Sequence, residues 1–202
     1  QIRRGIADGF TVHAGGCLEI GEAVGRVQIS AGRQLILKGG MNGAEEGSID
    51  CDGDVFAKYI ESARVFCRGT LFVVDAIMHS TAMIHRNLGL RGKHGGLIGG
   101  SMLVGGSVWC KKLGSVSETP TRVSVGIDPD QLKELGELNT RAEELRDRID
   151  DLDRILRHLE GKLELEGQID KPQTMAAVRG EREQNVSELA DAERRIKELR
   201  AD

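Results

Sequence analysis

The sequence predicts an all-β, right-handed parallel β-helix, or β-solenoid, followed by an antiparallel α-helical coiled-coil hairpin. Three observations lead to this fold class. Residues 1–126 repeat a short pattern of alternating apolar residues with a period near 20, which is typical of stacked solenoid turns. Residues 135–163 carry a heptad of apolar residues, which is typical of a coiled-coil helix. Glycine content and charge also change sharply between these two parts of the chain.

The repeat is visible as six copies of one short pattern. One position recurs at intervals of 17, 20, 16, 17 and 20 residues, at Ala14, Ala31, Cys51, Cys67, Ile84 and Val104. A second apolar position follows four residues later, at Leu18, Leu35, Val55, Leu71, Leu88 and Val108. Apolar residues also stand two before the first position and two after the second, the side-chain period of a β-strand. We therefore expect each strand to pair in parallel with its equivalent one turn away, about 4.8 Å along the solenoid.

Each predicted turn also contains corners and a third short segment. Glycine-rich pairs such as Gly15-Gly16 separate the two strands of several copies, and glycine suits tight corners. The third segments are predicted at 24–27, 41–44, 60–63, 77–80 and 97–100. This arrangement gives three faces per turn, and the general crossover preference favours right-handed coiling. Residues 43–47 and 93–96 are predicted surface loops, and 122–125 is a predicted closing strand.

A sharp change in composition places a domain boundary near residue 127. Of the 27 glycines, 23 lie in residues 1–126 and four in residues 127–202. The first part has a net charge of +3, from 14 Lys and Arg against 11 Asp and Glu. The second part has a net charge of −7, from 14 against 21. We therefore predict two domains, a parallel β-helix over 1–127 and a helical hairpin over 128–202.

The second domain is predicted to contain two helices, at about 129–166 and 173–201. Apolar residues in the first alternate at spacings of three and four, at Leu135, Leu138, Ala142, Leu145, Ile149, Leu152, Leu156, Leu159 and Leu163. This spacing forms a heptad seam, and Asp128 and Pro129 suit a helix start. Residues 167–172 break the helix. A weaker seam follows at Val178, Val186, Leu189, Ala192, Ile196 and Leu199. The helices can pair with each other, and their exposed side can also bind another chain.

Composition and patterning exclude several classes of protein. No run of 18 apolar residues is present, so we expect no membrane span, and the sequence as given has no signal peptide. No basic stripe with aromatic platforms is visible, so we expect no nucleic-acid partner. Four cysteines without a spaced framework favour a reducing compartment. Because Gln1 is not an initiator residue, we expect the chain to be a fragment or a processed form.

No set of residues predicts a catalytic site, a cofactor or a metal. His79 and Ser80 are adjacent on a predicted strand and so point to opposite faces, which prevents a nucleophile–base pair. We expect one of them to bond a backbone amide at a corner. The glycines between 89 and 106 are not followed by a helix, as a phosphate loop requires. Cys51 and Cys67 share an interior column without a histidine, which argues against zinc. We expect buried free thiols there, and a disulfide between stacked turns stays open.

Five blocks of sequence resemble the flagellar assembly protein A (FapA) family of bacteria. They are AKYIESA at 57–63, AIMHS at 76–80, GKHGGLIGG at 92–100, GS at 114–115 with TPT at 119–121, and VGIDP at 125–129. Their order and spacing agree with the family, and the resemblance covers about residues 10–165. The chain departs from the family at Glu118, which stands where a glycine usually precedes Thr-Pro-Thr.

The resemblance implies a bacterial, cytoplasmic, non-catalytic protein with a β-helix and a coiled coil, acting in flagellar assembly or placement. We expect it to work through contacts with protein partners of the flagellar system, without a cofactor. The resemblance leaves open whether the protein is recruited to the cell pole and whether it forms a homo-oligomer. The surface residues predicted to bind a partner are Lys58, Tyr59, Glu61, His79 and Lys93.

Two other functions are weighed against this interaction scaffold. The main alternative is a self-assembling, polymer-forming cytoskeletal β-helix, because open solenoid ends expose unpaired strands. A second is an enzyme that uses a β-helix groove on carbohydrates. Such enzymes need paired carboxylates and present aromatic platforms, whereas this chain has one Trp, one Tyr and no carboxylate cluster on a predicted strand face. The interaction scaffold is therefore preferred.

Overall fold

The computed structural model describes residues 1–93, 95–166 and 172–200. The chain separates into two compact units, Gln1–Pro129 and Asp130–Asp202. The first unit is a parallel β-solenoid of about seven turns. The second unit contains two long helices.

The described residues form fourteen strands and two helices. The odd-numbered strands are β1 (Thr11–Ala14), β3 (Gln28–Ala31), β5 (Met41–Cys51), β7 (Ile60–Cys67), β9 (Ala76–Ile84), β11 (Gly96–Val104) and β13 (Lys112–Leu113). The even-numbered strands are β2 (Cys17–Ile20), β4 (Gln34–Leu37), β6 (Asp54–Ala57), β8 (Leu71–Val73), β10 (Leu88–Leu90), β12 (Val108–Trp109) and β14 (Thr121–Val125). The helices are α1 (Pro129–Glu166) and α2 (Pro172–Leu199).

The strands form two parallel sheets, and each strand pairs with its equivalent one turn away. One sheet, here called the odd sheet, runs β1-β3-β5-β7-β9-β11-β13, with β14 also paired to β11. The other, the even sheet, runs β12-β10-β8-β6-β4-β2. The described strand pairs are all parallel. The predicted parallel solenoid is therefore confirmed.

The columns predicted from the repeat are stacked as expected. Residue pairing in the odd sheet joins Ala14, Ala31, Cys51, Cys67, Ile84 and Val104 in one continuous ladder. Val125 of β14 extends this ladder beyond Val104. Pairing in the even sheet joins Leu18, Leu35, Val55, Leu71, Leu88 and Val108 in the same way. These columns line the interior, and burying each Leu or Ile side chain contributes about 1.5–3 kcal/mol.

The third segment of each turn differs from its prediction. The segments predicted at 60–63, 77–80 and 97–100 are the first halves of β7, β9 and β11, so they belong to the odd sheet. A residue with positive φ bends each of these strands, namely Ser62 (45°), His79 (48°) or Gly99 (70°). A single left-handed residue turns the chain without needing a loop. The corner therefore lies inside a continuous strand.

Extra residues in the longer turns are accommodated locally. The surface loop predicted at 43–47 is an irregularity inside β5, because the pairing with β7 shifts between Asn42 and Gly47. Ala44 and Glu45 adopt positive φ values of 45° and 69° there.

Glu118 also has a positive φ of 55°. A glycine adopts that conformation without steric strain, which gives a physical reason for glycine at this position in the FapA pattern.

The seam of α1 coincides with its buried side. Leu145 and Leu152 are 3% and 1% exposed, and Ala142 and Leu156 are also buried. The sequence predicts spans of about 129–166 and 173–201 for the two helices. Of the predicted break at 167–172, residues 167–171 lie outside the described residues, as does the predicted end at residue 201, and Pro172 begins α2.

The predicted seam of α2 needs one correction. Val186 is 41% exposed, whereas its neighbour Asn185 is partly buried and its side-chain nitrogen is shielded from solvent. Met175, which the prediction omitted, is buried together with Ala192 and Ile196. The spacing from 178 through 182, 185 and 189 alternates four and three residues, so it keeps the heptad register. The prediction chose Val186 because it is apolar, but helical register places Asn185 on the buried side.

Ion pairs join the two helices along their length. They are Glu134–Arg195, Arg141–Glu188, Arg146–Glu193, Arg148–Glu181, Asp153–Arg182 and Glu160–Arg179. Hydrogen bonds from the arginine side chains lower the pKa of the Glu134 and Asp153 carboxyls below their usual values. These side chains remain substantially exposed, so each pair contributes at most about 1 kcal/mol. The pairs serve chiefly to fix which residues face each other.

Candidate functional site

Three of the five predicted partner-binding residues, Lys58, Tyr59 and Glu61, lie close together where β6 ends and β7 begins. Lys58 is exposed and follows β6 on the outer side of the even sheet. Tyr59 is partly buried, and its ring lies over Gly40, where an added Cβ would come within 2.5 Å of Tyr59 Cδ1. Glu61 accepts a hydrogen bond from the side-chain amide of Asn42 at 3.1 Å. Tyr59 and Glu61 therefore have local structural partners.

The other two predicted residues lie elsewhere on the solenoid. His79 is exposed at the bend of β9, and Lys93 is exposed between β10 and β11. Ser80, next to His79, is only 1% exposed. The Ala63 N–H donates to Ser80 Oγ at 3.2 Å, and the Ser80 hydroxyl donates to the Met78 carbonyl at 2.8 Å. The prediction that one of this pair bonds a backbone amide at a corner is confirmed.

A row of apolar side chains lies on the outer face of the even sheet. Strand pairing places Ile36 beside Phe56, Phe56 beside Phe72, Phe72 beside Gly89, and Gly89 beside Trp109. We call Ile36, Phe56, Phe72 and Trp109 the apolar stripe. It crosses five consecutive turns, with Gly89 at the one position without a side chain. It arises because the residue between the two buried positions of a strand must point outward.

The central part of the apolar stripe is rigidly packed. The Phe56 and Phe72 rings stack with centroids 5.1 Å apart and planes inclined by 15°. The Phe72 ring also lies against Gly89, because a Cβ there would be 3.2 Å from Phe72 Cδ1. Val74, next to the stripe, is 54% exposed, and Trp109 is 51% exposed. Three residues of the stripe, Ile36, Phe56 and Phe72, line an open groove of about 730 Å³ together with their neighbours.

Cationic side chains border this groove on one side. Lys38, Lys58 and Arg91 are exposed residues of neighbouring turns, each lying just past the last buried position of an even-sheet strand, and we call them the basic column. The guanidinium of Arg91 lies 5.7 Å from the centroid of the Phe72 ring, which is a cation–π contact. Lys38 forms an ion pair with Glu19. All three line the groove, and Lys58 is the predicted partner-binding residue found there.

The lining of the groove is mainly apolar. Its lining consists of aliphatic and aromatic residues, two glycines and three cations. The lining residues include no carboxylate, imidazole, thiol or hydroxyl, and their ionisable groups are the amines of Lys38 and Lys58 and the guanidinium of Arg91. The lining instead offers apolar area with positive charge along one border.

Sequence reasoning missed the apolar stripe although a signal for it was present. Phe56 and Phe72 each stand between two interior positions of the repeat, in Val-Phe-Ala and Leu-Phe-Val. Outward positions of a solvated strand are usually polar. Comparing the outward positions across successive copies would have aligned Ile36 with both phenylalanines. Reading each strand alone hides that alignment.

The four cysteines are free thiols in two different environments. Cys51 and Cys67 are buried, Cys110 is intermediate and Cys17 is exposed. Cys51 and Cys67 are paired neighbours in the interior column, and the Cys67 thiol donates to the Gly53 carbonyl at 3.2 Å. Burial raises the pKa of the Cys67 thiol to about 12 and also raises the pKa of Cys51. Both interior thiols therefore remain protonated at neutral pH, as expected of small apolar residues.

Thiol reactivity should separate these environments. Treating the native protein with iodoacetamide at pH 8 should modify Cys17 and leave Cys51 and Cys67 unmodified, because only a solvated thiolate reacts. Peptide mass spectrometry measures the labelled fraction at each cysteine. The same reaction in urea is the control, and it should label Cys17, Cys51 and Cys67. Equal labelling of Cys51 and Cys17 in the native protein would contradict the interior column.

Comparisons with known proteins bear on the family of the chain. Among the described residues, neither helix is apolar enough along its length to cross a membrane. Neither a curated protein nor a solved structure matches the chain. The family model described as the Flagellar Assembly Protein A beta solenoid domain matches residues 1–202. The solenoid, its columns and the sequence blocks agree with that match, and the chain therefore belongs to the FapA family.

Proposed function

We propose that the protein is a non-catalytic scaffold that acts in flagellar assembly or placement through contacts with other proteins. The observation that carries this proposal is the match of the FapA family model to all of residues 1–202. The apolar stripe supports a role in contacts, since contiguous exposed apolar surface commonly marks an interaction site. The composition of the groove supports binding rather than catalysis.

We also propose the handedness of the solenoid and the arrangement of the two helices. We take residues 1–127 as a right-handed β-helix domain and 128–202 as an antiparallel coiled-coil hairpin. The ion pairs between the helices support the hairpin, because the partner numbers in α2 generally fall as the numbers in α1 rise. The crossover preference supports the right hand. We also propose a bacterial, cytoplasmic location, with recruitment to the cell pole where the flagellum forms.

The partner-binding residues are proposed to be Lys58, Tyr59, Glu61, His79 and Lys93. Lys58, His79 and Lys93 are exposed, and Tyr59 and Glu61 are partly exposed. They supply positively and negatively charged side chains and the aromatic ring of Tyr59 to the surface. Lys58 also belongs to the basic column, so it connects this set with the groove.

A motility assay tests the proposed function. A strain lacking the gene should lose flagella or their normal placement, and the wild-type gene should restore them on staining and in swimming plates. The triple variant Lys58→Glu, Glu61→Lys and Lys93→Glu should fail to restore them, because it reverses charges that a partner would meet. These side chains are exposed or partly exposed, so folding should be unaffected.

A matched variant controls for changes in net charge. Arg33→Glu, Glu46→Lys and Lys112→Glu alter three exposed side chains by the same charges, and this variant should restore motility. Immunoblots should give equal protein levels for all strains. Normal flagella in the deletion strain would overturn the flagellar role. Equal performance of the two variants would overturn the five-residue surface.

A further inference from the structure

The apolar stripe and the basic column run side by side along the solenoid axis. Their positions repeat at the spacing of paired strands, about 4.8 Å, with Gly89 interrupting the stripe and Val74 standing in the basic column between Lys58 and Arg91. From Ile36 to Trp109 there are four such steps, or about 19 Å. The apolar stripe is therefore elongated along the axis, which suits an elongated occupant.

The repeat of the groove is close to the repeat of an α-helix. A helix advances about 5.4 Å per turn, and 19 Å corresponds to about 13 helical residues. A helix lying along the solenoid axis would place one apolar residue near each step of the stripe, at spacings of three or four residues. Helices held in grooves by such residues are a recurring mode of peptide recognition.

The positions of the cations determine on which flank of the bound helix acidic residues would lie. Lys58 follows the Phe56 strand and Arg91 follows the Gly89 strand, so they lie two turns apart, or about 9.6 Å. Two turns of helix span about 10.8 Å, so acidic residues seven positions apart would face both cations. The opposite border of the stripe carries Gln34, Asp54 and Thr70, and Asp54 already accepts a hydrogen bond from the Thr70 N–H at 2.7 Å. Acidic residues on that flank would meet Asp54 and be repelled.

We propose that the apolar stripe and the basic column bind an acidic amphipathic helix of a partner protein, lying along the solenoid axis. This inference rests on the proposed role in protein contacts and adds the chemistry and secondary structure of the partner. The aromatic rings supply the apolar contact, and the cations select acidic side chains on one flank. Trp and Arg are among the residues that most often dominate binding energy at interfaces.

An anionic membrane is the competing occupant, and the geometry disfavours it. A bilayer presents negative charge across its whole surface, so it would face Asp54 as well as the cations. Phe56 and Phe72 are partly buried and their rings are stacked on each other, whereas membrane-inserting side chains must project into the acyl region. A concave apolar floor with one charged border fits a single helix better.

The single tryptophan makes the site directly observable. Trp109 is the only tryptophan of the chain, and it lies at one end of the apolar stripe. The probe is a synthetic helical peptide of about 18 residues without tryptophan, with Leu at heptad spacing and Glu seven positions apart on one flank. Binding should shift the Trp109 emission to the blue and reduce its quenching by acrylamide, because the peptide covers the indole.

Two comparison probes define the specificity. A peptide with the same composition in scrambled order keeps the negative charge and loses the amphipathic face. A peptide with Lys in place of Glu keeps the apolar face and reverses the charge. Neither should change the Trp109 emission at concentrations that saturate the signal with the acidic amphipathic peptide. Vesicles of phosphatidylglycerol test the membrane alternative, and they too should leave the emission unchanged.

Charge reversal on the full-length chain tests the basic column. The double variant Lys58→Glu and Arg91→Glu should weaken peptide binding about tenfold or more, since each attraction becomes a repulsion. Arg64→Glu and Arg122→Glu on the outer face of the odd sheet are the matched control, because both arginines are exposed. The control should bind the peptide as the wild type does, and both variants should keep the wild-type circular dichroism.

Several outcomes would overturn the proposal. They are equal binding of the acidic and scrambled peptides, equal losses in the two double variants, or vesicle binding that depends on Lys58 and Arg91. This experiment can fail while the motility assay succeeds, in which case the protein acts in flagellar assembly through another surface. The reverse result would place an acidic-helix site on a protein outside flagellar assembly. The two failures are therefore distinguishable.

Discussion

Leu152→Asp should destabilise the helical unit by about 3–5 kcal/mol, because it places a carboxylate in the apolar seam between α1 and α2. Leu152 is 1% exposed and lies in the same seam as the buried Leu145 and Leu156. The substitution removes the apolar contacts of leucine and adds a charge that has to be desolvated. Urea unfolding followed by circular dichroism at 222 nm measures the loss, since the helical unit supplies most of the helical signal.

A second substitution on the same helix serves as the control. Ile155 lies three residues further along α1 and is 44% exposed. Ile155→Asp makes a similar change in chemistry at a solvated position, so its effect should stay within about 0.5 kcal/mol. If both variants lost the same stability, the effect would come from helix propensity and the seam assignment would be wrong. An unchanged unfolding curve for Leu152→Asp would contradict the seam directly.

The interior of the solenoid could be predicted because each buried column leaves a periodic trace in the sequence. Ala31, Cys51 and Cys67 differ in chemistry, yet their shared register with the apolar residues four positions later identifies them as interior. The bends of the odd sheet left no comparable trace. Ser62 and His79 adopt positive φ, which is uncommon for residues other than glycine, so a separate segment was predicted where the strand continues.

The candidate site was harder to predict than the fold for a related reason. Ile36, Phe56 and Phe72 are neighbours only because three turns stack in register. Each is separated from the next by 16 to 20 residues in the chain, and each looks like an isolated apolar residue on a polar face. The sequence predicts Lys58 as a partner-binding residue together with Tyr59 and Glu61 on one turn. Its position beside the apolar stripe depends on packing between turns, which local patterns do not contain.

In α2, apolar character and helical register conflict at one position. Val186 is the apolar residue, whereas Asn185 occupies the register position that faces α1. A polar residue in a coiled-coil seam costs stability and can fix the register of the paired helices. Six ion pairs with arginine also fix that register. The ion pairs are therefore the contacts that align α1 with α2, whereas the buried side-chain nitrogen of Asn185 has no hydrogen-bond partner among the described residues.

Gly53→Ala should destabilise the solenoid by about 3 kcal/mol, because successive turns approach too closely at this corner to admit a side chain. A Cβ at Gly53 would lie 1.7 Å from the Arg33 carbonyl oxygen and 2.7 Å from the Arg33 carbonyl carbon. Both are backbone atoms of the preceding turn, so relief requires the turns to separate. Separation would weaken the parallel hydrogen bonds on both sides of the corner, including the Asp52 N–H to Ala31 carbonyl bond of 3.0 Å.

The equivalent corner at one end of the repeat provides a matched control for this prediction. A Cβ at Gly16 would meet no atom within 4 Å. Gly16→Ala should therefore be neutral or stabilise the protein by up to about 1 kcal/mol, because alanine lowers the conformational entropy of the unfolded chain. Urea unfolding followed by Trp109 fluorescence compares the two variants in the solenoid alone. Because the substitution is the same, a difference in stability between the two variants reports how closely the turns are stacked at Gly53. Equal stability of the two variants would mean that the turns tolerate side chains between them, and the close stacking at Gly53 would then be wrong.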